Sequence, residues 1–221
     1  MKNLVIIPAY NEEGNITNLV SKVRELSYDY LVINDASKDH TMELLKENHI
    51  NHLDLAVNSG IASVTQIGFR YAVEHGYDGA IVIDGDGQHP PMYIKTLMDG
   101  LEKGYDYVVG SRYVIRKKPW NSRMVGSRII AGCIFLKTGV RVTDPTSGMR
   151  ALGGKVMKDF SENMNFIAEP DALTYVIKKK YHFTEVQVTM DERDSGASYF
   201  SGIMRSFSYM VRVLISILFV Q

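Results

Sequence analysis

Between residues 4 and 109 short apolar runs alternate with amphipathic stretches, and this alternation restricts the fold more than any other feature of the chain. Leu4–Pro8, Tyr30–Ile33, Leu53–Val57, Ala80–Ile83 and Tyr107–Val109 are too short for helices and read as buried strands. Between them, Ile16, Leu19, Val20, Val23 and Leu26 recur at helical spacing behind Asn15 as a cap. Thr41–Glu47 and Ile61–Glu74 continue the pattern, the second closed by His75-Gly76, and Pro91–Lys103 adds a fourth helix. Such repetition predicts βαβ units, that is, an α/β fold with a Rossmann-like, mostly parallel sheet flanked by helices. The alternation weakens after Gly110. No internal repeat or linker divides the chain, which reads as one domain over residues 1–200 with an extension over 201–221.

In an open sheet of this kind, ligands bind beyond the carboxyl ends of the strands. Three polar turns fall at such ends: Pro8-Ala9-Tyr10-Asn11-Glu12, Asn34-Asp35-Ala36-Ser37 and Asp84-Gly85-Asp86-Gly87-Gln88. Each residue type also favours ordinary turns, but three together at one edge point to a site. The third turn is the sharpest. Two carboxylates one residue apart, separated by glycine, offer hard oxygen donors suited to Mg²⁺ or Mn²⁺, with Asp86 and Gln88 as ligands and Asp84 nearer a nucleotide. A metal there would act as a Lewis acid on a diphosphate leaving group. No dinucleotide fingerprint follows the first strand, and Gly153-Gly154-Lys155 is followed by Val156, so it is not a phosphate loop of the Walker type.

The 221-residue chain has 25 basic and 25 acidic residues, a balance that argues against a nucleic-acid binder. The distribution is uneven. Between Asp106 and Asp144 there is no acidic residue, while Arg112, Arg116, Lys117, Lys118, Arg123, Arg128, Lys137 and Arg141 are all basic. Elsewhere 17 basic groups face 25 acidic ones, and Tyr71 to Ile94 holds no Lys or Arg. One stretch suits an anion and the other a cation. The lone cysteine, Cys133, excludes an intramolecular disulfide framework and fits a reducing compartment.

The N-terminal apolar run is too short for a signal peptide. At the other end, residues 203–220 are rich in bulky apolar side chains with Arg205 and Arg212 embedded. The uninterrupted part is shorter than the roughly 20 residues a spanning helix needs, so an amphipathic helix lying in a membrane interface is expected, with a core or oligomer contact as the alternative. The chain is expected at the cytoplasmic face of the cell membrane, peripherally, or anchored if the natural sequence runs beyond Gln221.

The motifs taken together resemble those of family 2 glycosyltransferases. P-A-Y-N-E at 8–12, N-D-A-S at 34–37, D-G-D-G-Q-H-P at 84–90, G-S-R-Y at 110–113, T-D-P-T-S-G-M-R at 143–150, A-E-P at 168–170 and E-R-D-S-G-A-S at 192–198 occur in that order and span most of the chain. Within the family, the sequence is similar to the polyprenyl-phosphate branch typified by dolichol-phosphate mannosyltransferase. The resemblance implies a GT-A fold, a nucleotide-sugar donor, a divalent metal and an inverting transfer. It places Pro8, Ala9, Tyr10, Glu12, Asp35, Ser37, Asp84, Gly85 and Asp86 on the donor, and Asp84, Asp86 and Gln88 on the metal. Arg112, Arg128 and Arg193 would meet a lipid phosphate or the diphosphate, and Asp86, Asp144 and Arg128 would be catalytic. Two positions depart from the pattern. Asn34 stands where an Asp is usual, and Ser195-Gly196-Ala197-Ser198 replaces a G-x-S-K ending.

A phosphate acceptor agrees with the charge map. A sugar hydroxyl needs a general base, whereas a phosphate monoester, with a second pKa near 6, is already ionised and needs positioning by groups such as arginine. Asp144 either orients an arginine or the acceptor or caps a turn, and Glu169 either approaches the donor sugar or caps a helix. The expected activity is transfer from UDP-GlcNAc or UDP-glucose to undecaprenyl phosphate. The alternatives are a GDP-mannose donor, a carbohydrate hydroxyl acceptor, and a non-catalytic sugar-nucleotide binder.

Overall fold

The computed structural model describes residues 1–163, 166, 168–191 and 210–220, without the side chains of Ser122 and Arg123. Seven strands form one sheet: β1 (Asn3–Ala9), β2 (Asp29–Asn34), β3 (His52–Asp54), β4 (Gly79–Val82), β5 (Tyr107–Ser111), β6 (Arg150–Gly153) and β7 (Phe183–Gln187), in the order β3-β2-β1-β4-β6-β5-β7. All pairings are parallel except those of β6, which runs antiparallel to both β4 and β5. The carboxyl ends of β1, β2, β4 and β5 therefore share one edge with the start of β6, and every motif named above that is described lies along it.

The helices are α1 (Ile16–Glu25), α2 (Thr41–Glu47), α3 (Gly60–Glu74), α4 (Ile94–Glu102), α5 (Ser122–Thr138), α6 (Gly154–Asn163) and α7 (Glu169–Lys178). Strand β1 shows why they cover both faces. All seven of its residues are buried, and the period-two alternation sends Leu4 and Ile6 into one core and Val5, Ile7 and Ala9 into the other. The first core takes apolar residues from α3, α5, α6 and α7, and the second from α1, α2 and α4. Each fully buried aliphatic side chain contributes about 1.5–3 kcal/mol relative to exposure.

The third strand is shorter and earlier than the expected 53–57, because Val32 and Asn34 of β2 pair with His52 and Asp54 and the chain then turns towards α3. Asn15 occupies the cap position of α1, but its amide donates to Glu12 Oε2 at 2.8 Å instead of closing the helix. Past Gly110, where the pattern faded, regular elements persist. They are hard to read because β6 is a four-residue strand, flanked by helices, that reverses direction. The C-terminal segment 210–215 is helical and passes into a π-helical turn, Ser216–Val220. Val213 and Ile217 are buried in the first core, and Lys137 Nζ donates to the Leu218 carbonyl at 2.8 Å. No helix among the described residues is long and apolar enough to cross a membrane.

Candidate active site

The donor-side residues meet where β1, β2 and β4 end. The Asp35 N–H donates to the Ala9 carbonyl at 2.9 Å and the Gly85 N–H to the Pro8 carbonyl at 3.1 Å, so backbone alone fixes the three turns. A Cβ on Gly85 would lie 2.7 Å from the Pro8 oxygen, and this approach requires glycine. The first two turns are then locked to each other. Asn11 N–H donates to Ser37 Oγ at 3.0 Å, Lys38 N–H to Asn11 Oδ1 at 2.7 Å, and Glu12 N–H to Thr41 Oγ1 at 2.8 Å. Asn11 and Ala36 hold φ of 57° and 55° on these facing loops, a left-handed conformation that non-glycine residues keep only when their surroundings impose it. Glu12 is buried at the base of the turn, while Tyr10 stands exposed with its ring available for stacking on a base.

Asp35 is the busiest of the predicted donor contacts. Its carboxylate accepts from Ser59 N–H at 2.6 Å and Gly60 N–H at 2.9 Å, capping the 15-residue α3. A ribose would share it with that cap through the remaining lone pairs. Asn34 has a structural reason to be an amide: its Nδ2 donates to Asp54 Oδ1 at 2.8 Å, and its Oδ1 accepts from Ser37 N–H at 3.2 Å. An aspartate could not make the first bond.

In the third turn, Asp84 N–H donates to His89 Nδ1 at 2.9 Å. The imidazole is buried, and that burial pushes its pKa down to about 4, so it stays neutral with Nδ1 as acceptor. His89 thus holds the carboxylate turn from below. Asp86 Oδ1 accepts from Gln88 N–H at 3.0 Å, and the Gln88 carbonyl accepts from Asp191 N–H at 3.0 Å. Gly148, in the loop before β6, crowds the same turn: a Cβ there would lie 2.9 Å from Asp84 Oδ2 and 3.0 Å from His89 Cε1. Asp84, Asp86 and Gln88 are all partly exposed at the sheet edge. Among the described residues no group of three or more His, Cys, Asp or Glu is placed to enclose a metal. An open set of two carboxylates and one amide fits instead an ion that keeps positions for water and diphosphate oxygens, as Mg²⁺ and Mn²⁺ do.

The acceptor side begins at the end of β5. Arg112 does not project as a free cation. Its Nε and Nη2 grip the fully buried Asp144 at 2.7 and 2.8 Å, and its own N–H donates to Oδ2 at 3.1 Å. Burial opposes the charge, but Asp144 more than restores it, raising the guanidinium pKa. Of the roles left open for Asp144, orienting an arginine is the one the structure displays. Arg128 donates to the carbonyls of Lys118 at 2.6 Å and Pro119 at 3.0 Å, and lies 4.1 Å from the centre of the Trp120 ring. It shapes the 118–120 loop. Arg193 lies outside the described residues.

Three residues that sequence reasoning passed over complete this region. Lys118 is partly buried, its Nζ donates to Ser127 Oγ at 2.9 Å, and burial, with the neighbouring Arg112 and Arg128, lowers its pKa. Glu185 accepts from Thr143 N–H at 2.8 Å and Asp144 N–H at 2.9 Å, and Gln187 donates to the Arg112 carbonyl at 2.9 Å while accepting from Ile115 N–H at 2.9 Å. Glu185 and Gln187 sit two apart on β7, so a polar period-two pattern was the available signal. Lys118 carried none beyond its place in the acid-free stretch.

This edge, with nucleotide-type turns on one side and a cation cluster on the other, is the layout of a sugar-nucleotide-dependent transferase. The pattern of the family described as glycosyl transferase family 2 matches residues 4–161, and the chain belongs to that family of glycosyltransferases. It is 30% identical to the polyprenol monophosphomannose synthase of Mycolicibacterium smegmatis, over 91% of this chain and 82% of that one. It is 31% identical to the UDP-N-acetylglucosamine–dolichyl-phosphate N-acetylglucosaminyltransferase of Methanococcus voltae, over 95% and 94% respectively. Among solved structures, glucosyl-3-phosphoglycerate synthase from Mycobacterium tuberculosis, in complex with Mn²⁺, UDP and glucosyl-3-phosphoglycerate, superimposes with a TM-score of 0.71 at 17% identity, covering 98% of this chain and 78% of that one. That last likeness establishes the GT-A-like fold.

Proposed function

We propose that the enzyme moves a sugar, with inversion, from a nucleotide diphosphate donor to the phosphate of a polyprenyl lipid, undecaprenyl phosphate in a bacterial source. The observation that carries this reading is the cation cluster of Lys118, Arg112 and Arg128 around Ser127, on the same sheet edge as Asp84 and Asp86. Asp144 already matches one of those charges, and the excess calls for an anion other than the donor. The relatives named for polyprenol and dolichyl phosphate acceptors support the same class.

In this mechanism an ionised phosphate oxygen of the acceptor attacks the anomeric carbon as the bond to the nucleotide diphosphate breaks. No proton has to be removed from the nucleophile, so no general base is required. Lys118 and Ser127 bind the acceptor phosphate, Arg112 is fixed beside them by Asp144, and Arg128 acts by holding the 118–120 loop in place. On the donor side Tyr10 stacks on the base, the 8–12 and 34–37 turns with Asp35 hold the ribose, and Arg193 would add a contact to either phosphate group. Asp86, with Asp84 and Gln88, would hold Mg²⁺ or Mn²⁺, which neutralises the diphosphate leaving group. A UDP-sugar is favoured and GDP-mannose is the second choice; the M. voltae and M. smegmatis relatives are named for N-acetylglucosamine and mannose transfer respectively.

The enzyme works at a membrane surface, on the cytoplasmic face. Trp120 and Ile115 are 83% and 81% exposed, and Leu136 and Phe219 are 80% and 79% exposed. These apolar side chains accompany Arg116, Lys117 and Lys137, a combination that suits anionic headgroups and the acyl boundary. The test is incubation of detergent micelles of polyprenyl phosphate with Mn²⁺ or Mg²⁺ and labelled UDP-glucose, UDP-GlcNAc or GDP-mannose. An organic-extractable, acid-labile product is expected. Label transferred only to a carbohydrate alcohol would overturn the reading.

A further inference from the structure

Arg150 opens β6 between Val82 of β4 and Val109 of β5, next to the point where β4 delivers Asp84. Its guanidinium is buried, at 4% exposure. Burial opposes its charge, yet Tyr107, Glu169 and Asp84 together keep its pKa raised. Its contacts are incomplete all the same. Nη2 is 3.6 Å from Glu169 Oε1, longer than the 2.7–2.9 Å of a charge-assisted hydrogen bond. Among the described residues, Nε meets no acceptor at all. A buried donor left open in this way is rare in folded proteins and marks a place where something else binds.

The space beside the pair is a recess of about 220 Å³. Ile61 and Ala62, in the first turn of α3, form one wall, and Phe166 and Ala168, leading into α7, form the other. The recess adjoins the diphosphate end of the site, because Arg150 feels Asp84 and His89 feels both Arg150 and Glu169. It is also separate from the turns at residues 8–12 and 34–37 that would hold the nucleoside.

We infer that this recess takes the glycosyl ring of the donor, with Arg150 donating to and Glu169 accepting from its hydroxyls, so that this pair selects the sugar. The inference rests on the nucleotide-sugar reading above and adds to it the sugar-selecting residues and the sugar class. A hydroxyl both donates and accepts, so a guanidinium beside a carboxylate matches neighbouring hydroxyls, while the apolar walls match the C–H surface of the ring. The pair carries no net charge, which selects a neutral sugar. A uronate would bring its carboxylate against Glu169. A pocket built to hydrogen-bond hydroxyls discriminates strongly, because an analogue lacking them leaves buried polar groups unpaired.

Glu169→Gln tests this, since the side chain keeps its size and sits in the first turn of α7, where an amide is tolerated. Binding of UDP, GDP, UDP-glucose, UDP-GlcNAc, GDP-mannose and UDP-glucuronic acid is measured with Mn²⁺ for both proteins, alongside the melting temperature. The variant is expected to bind bare UDP and GDP within twofold of wild type, and to bind the preferred sugar nucleotide at least tenfold more weakly. It should also bind UDP-glucuronic acid more tightly than wild type, a gain that a merely loosened fold would not produce. Equal weakening of nucleotide and sugar nucleotide, or no change in either, would overturn the assignment. If wild type binds no sugar nucleotide at all, the donor reading falls and this inference falls with it. If wild type turns over a donor and the variant keeps its sugar preference, only this inference falls.

Discussion

The two sides of the active edge are built in different ways. On the donor side, the ends of β1, β2 and β4 are joined by backbone hydrogen bonds, Asp35 to Ala9 and Gly85 to Pro8, with side chains left at the rim. On the acceptor side, the framework consists of charged side chains: Asp144 is gripped by Arg112, and Glu185 holds the turn that carries Asp144. The lesson is that carboxylates with the same apparent promise in sequence have opposite duties. Asp86 lies at the rim for a ligand, whereas Asp144 is inside the fabric. Removing the first should cost activity, and removing the second should cost stability.

Four substitutions separate these duties. Asp86→Ala should lower kcat by at least about a thousandfold, roughly 4 kcal/mol of transition-state stabilisation, with an unchanged melting temperature. A large fall in melting temperature would place Asp86 with Asp144 as a framework residue. Asp144→Ala should lower the unfolding free energy by about 3–5 kcal/mol in urea titration, because it strands the Arg112 charge. Full stability with lost turnover would make Asp144 a catalytic group instead. Gly148→Ala should act between the two. The new methyl group meets the end of the Asp84 side chain and the His89 ring, so roughly a tenfold loss in kcat/KM is expected from a displaced carboxylate, about 1.4 kcal/mol. Asn34→Asp should have the smallest effect, about 1 kcal/mol of lost stability at neutral pH that recovers on acidification, since it sets two carboxylates against each other at Asp54. A pH-independent loss would argue that the Asn34–Asp54 hydrogen bond is not what fixes that position.

Much of this was legible in the sequence. The first four strands and the carboxylate turns at their ends follow from apolar runs broken by Asp, Asn and Gly, and a parallel sheet puts those turns on one edge. The placement of Pro8, Tyr10, Glu12, Asp35, Asp84 and Asp86 is of this local kind. What the sequence concealed depends on partners far along the chain. That Asp144 cancels Arg112, that Arg128 spends its donors on the carbonyls of residues 118 and 119, and that Lys118 is the cation turned to a second anion are facts of tertiary pairing. They leave no periodicity. Arg150 was hidden for the same reason, since its role depends on the distant Glu169 and on a reversed strand that joins β4 to β5.

The division of the edge into a donor side and an acceptor side is tested most directly by two-substrate kinetics on Lys118→Ala, varying polyprenyl phosphate and sugar nucleotide independently. The account predicts a KM for polyprenyl phosphate raised at least about tenfold, the worth of a charge-assisted hydrogen bond, with the donor KM within twofold of wild type. A raised donor KM, or an unchanged requirement for the lipid phosphate, would contradict it.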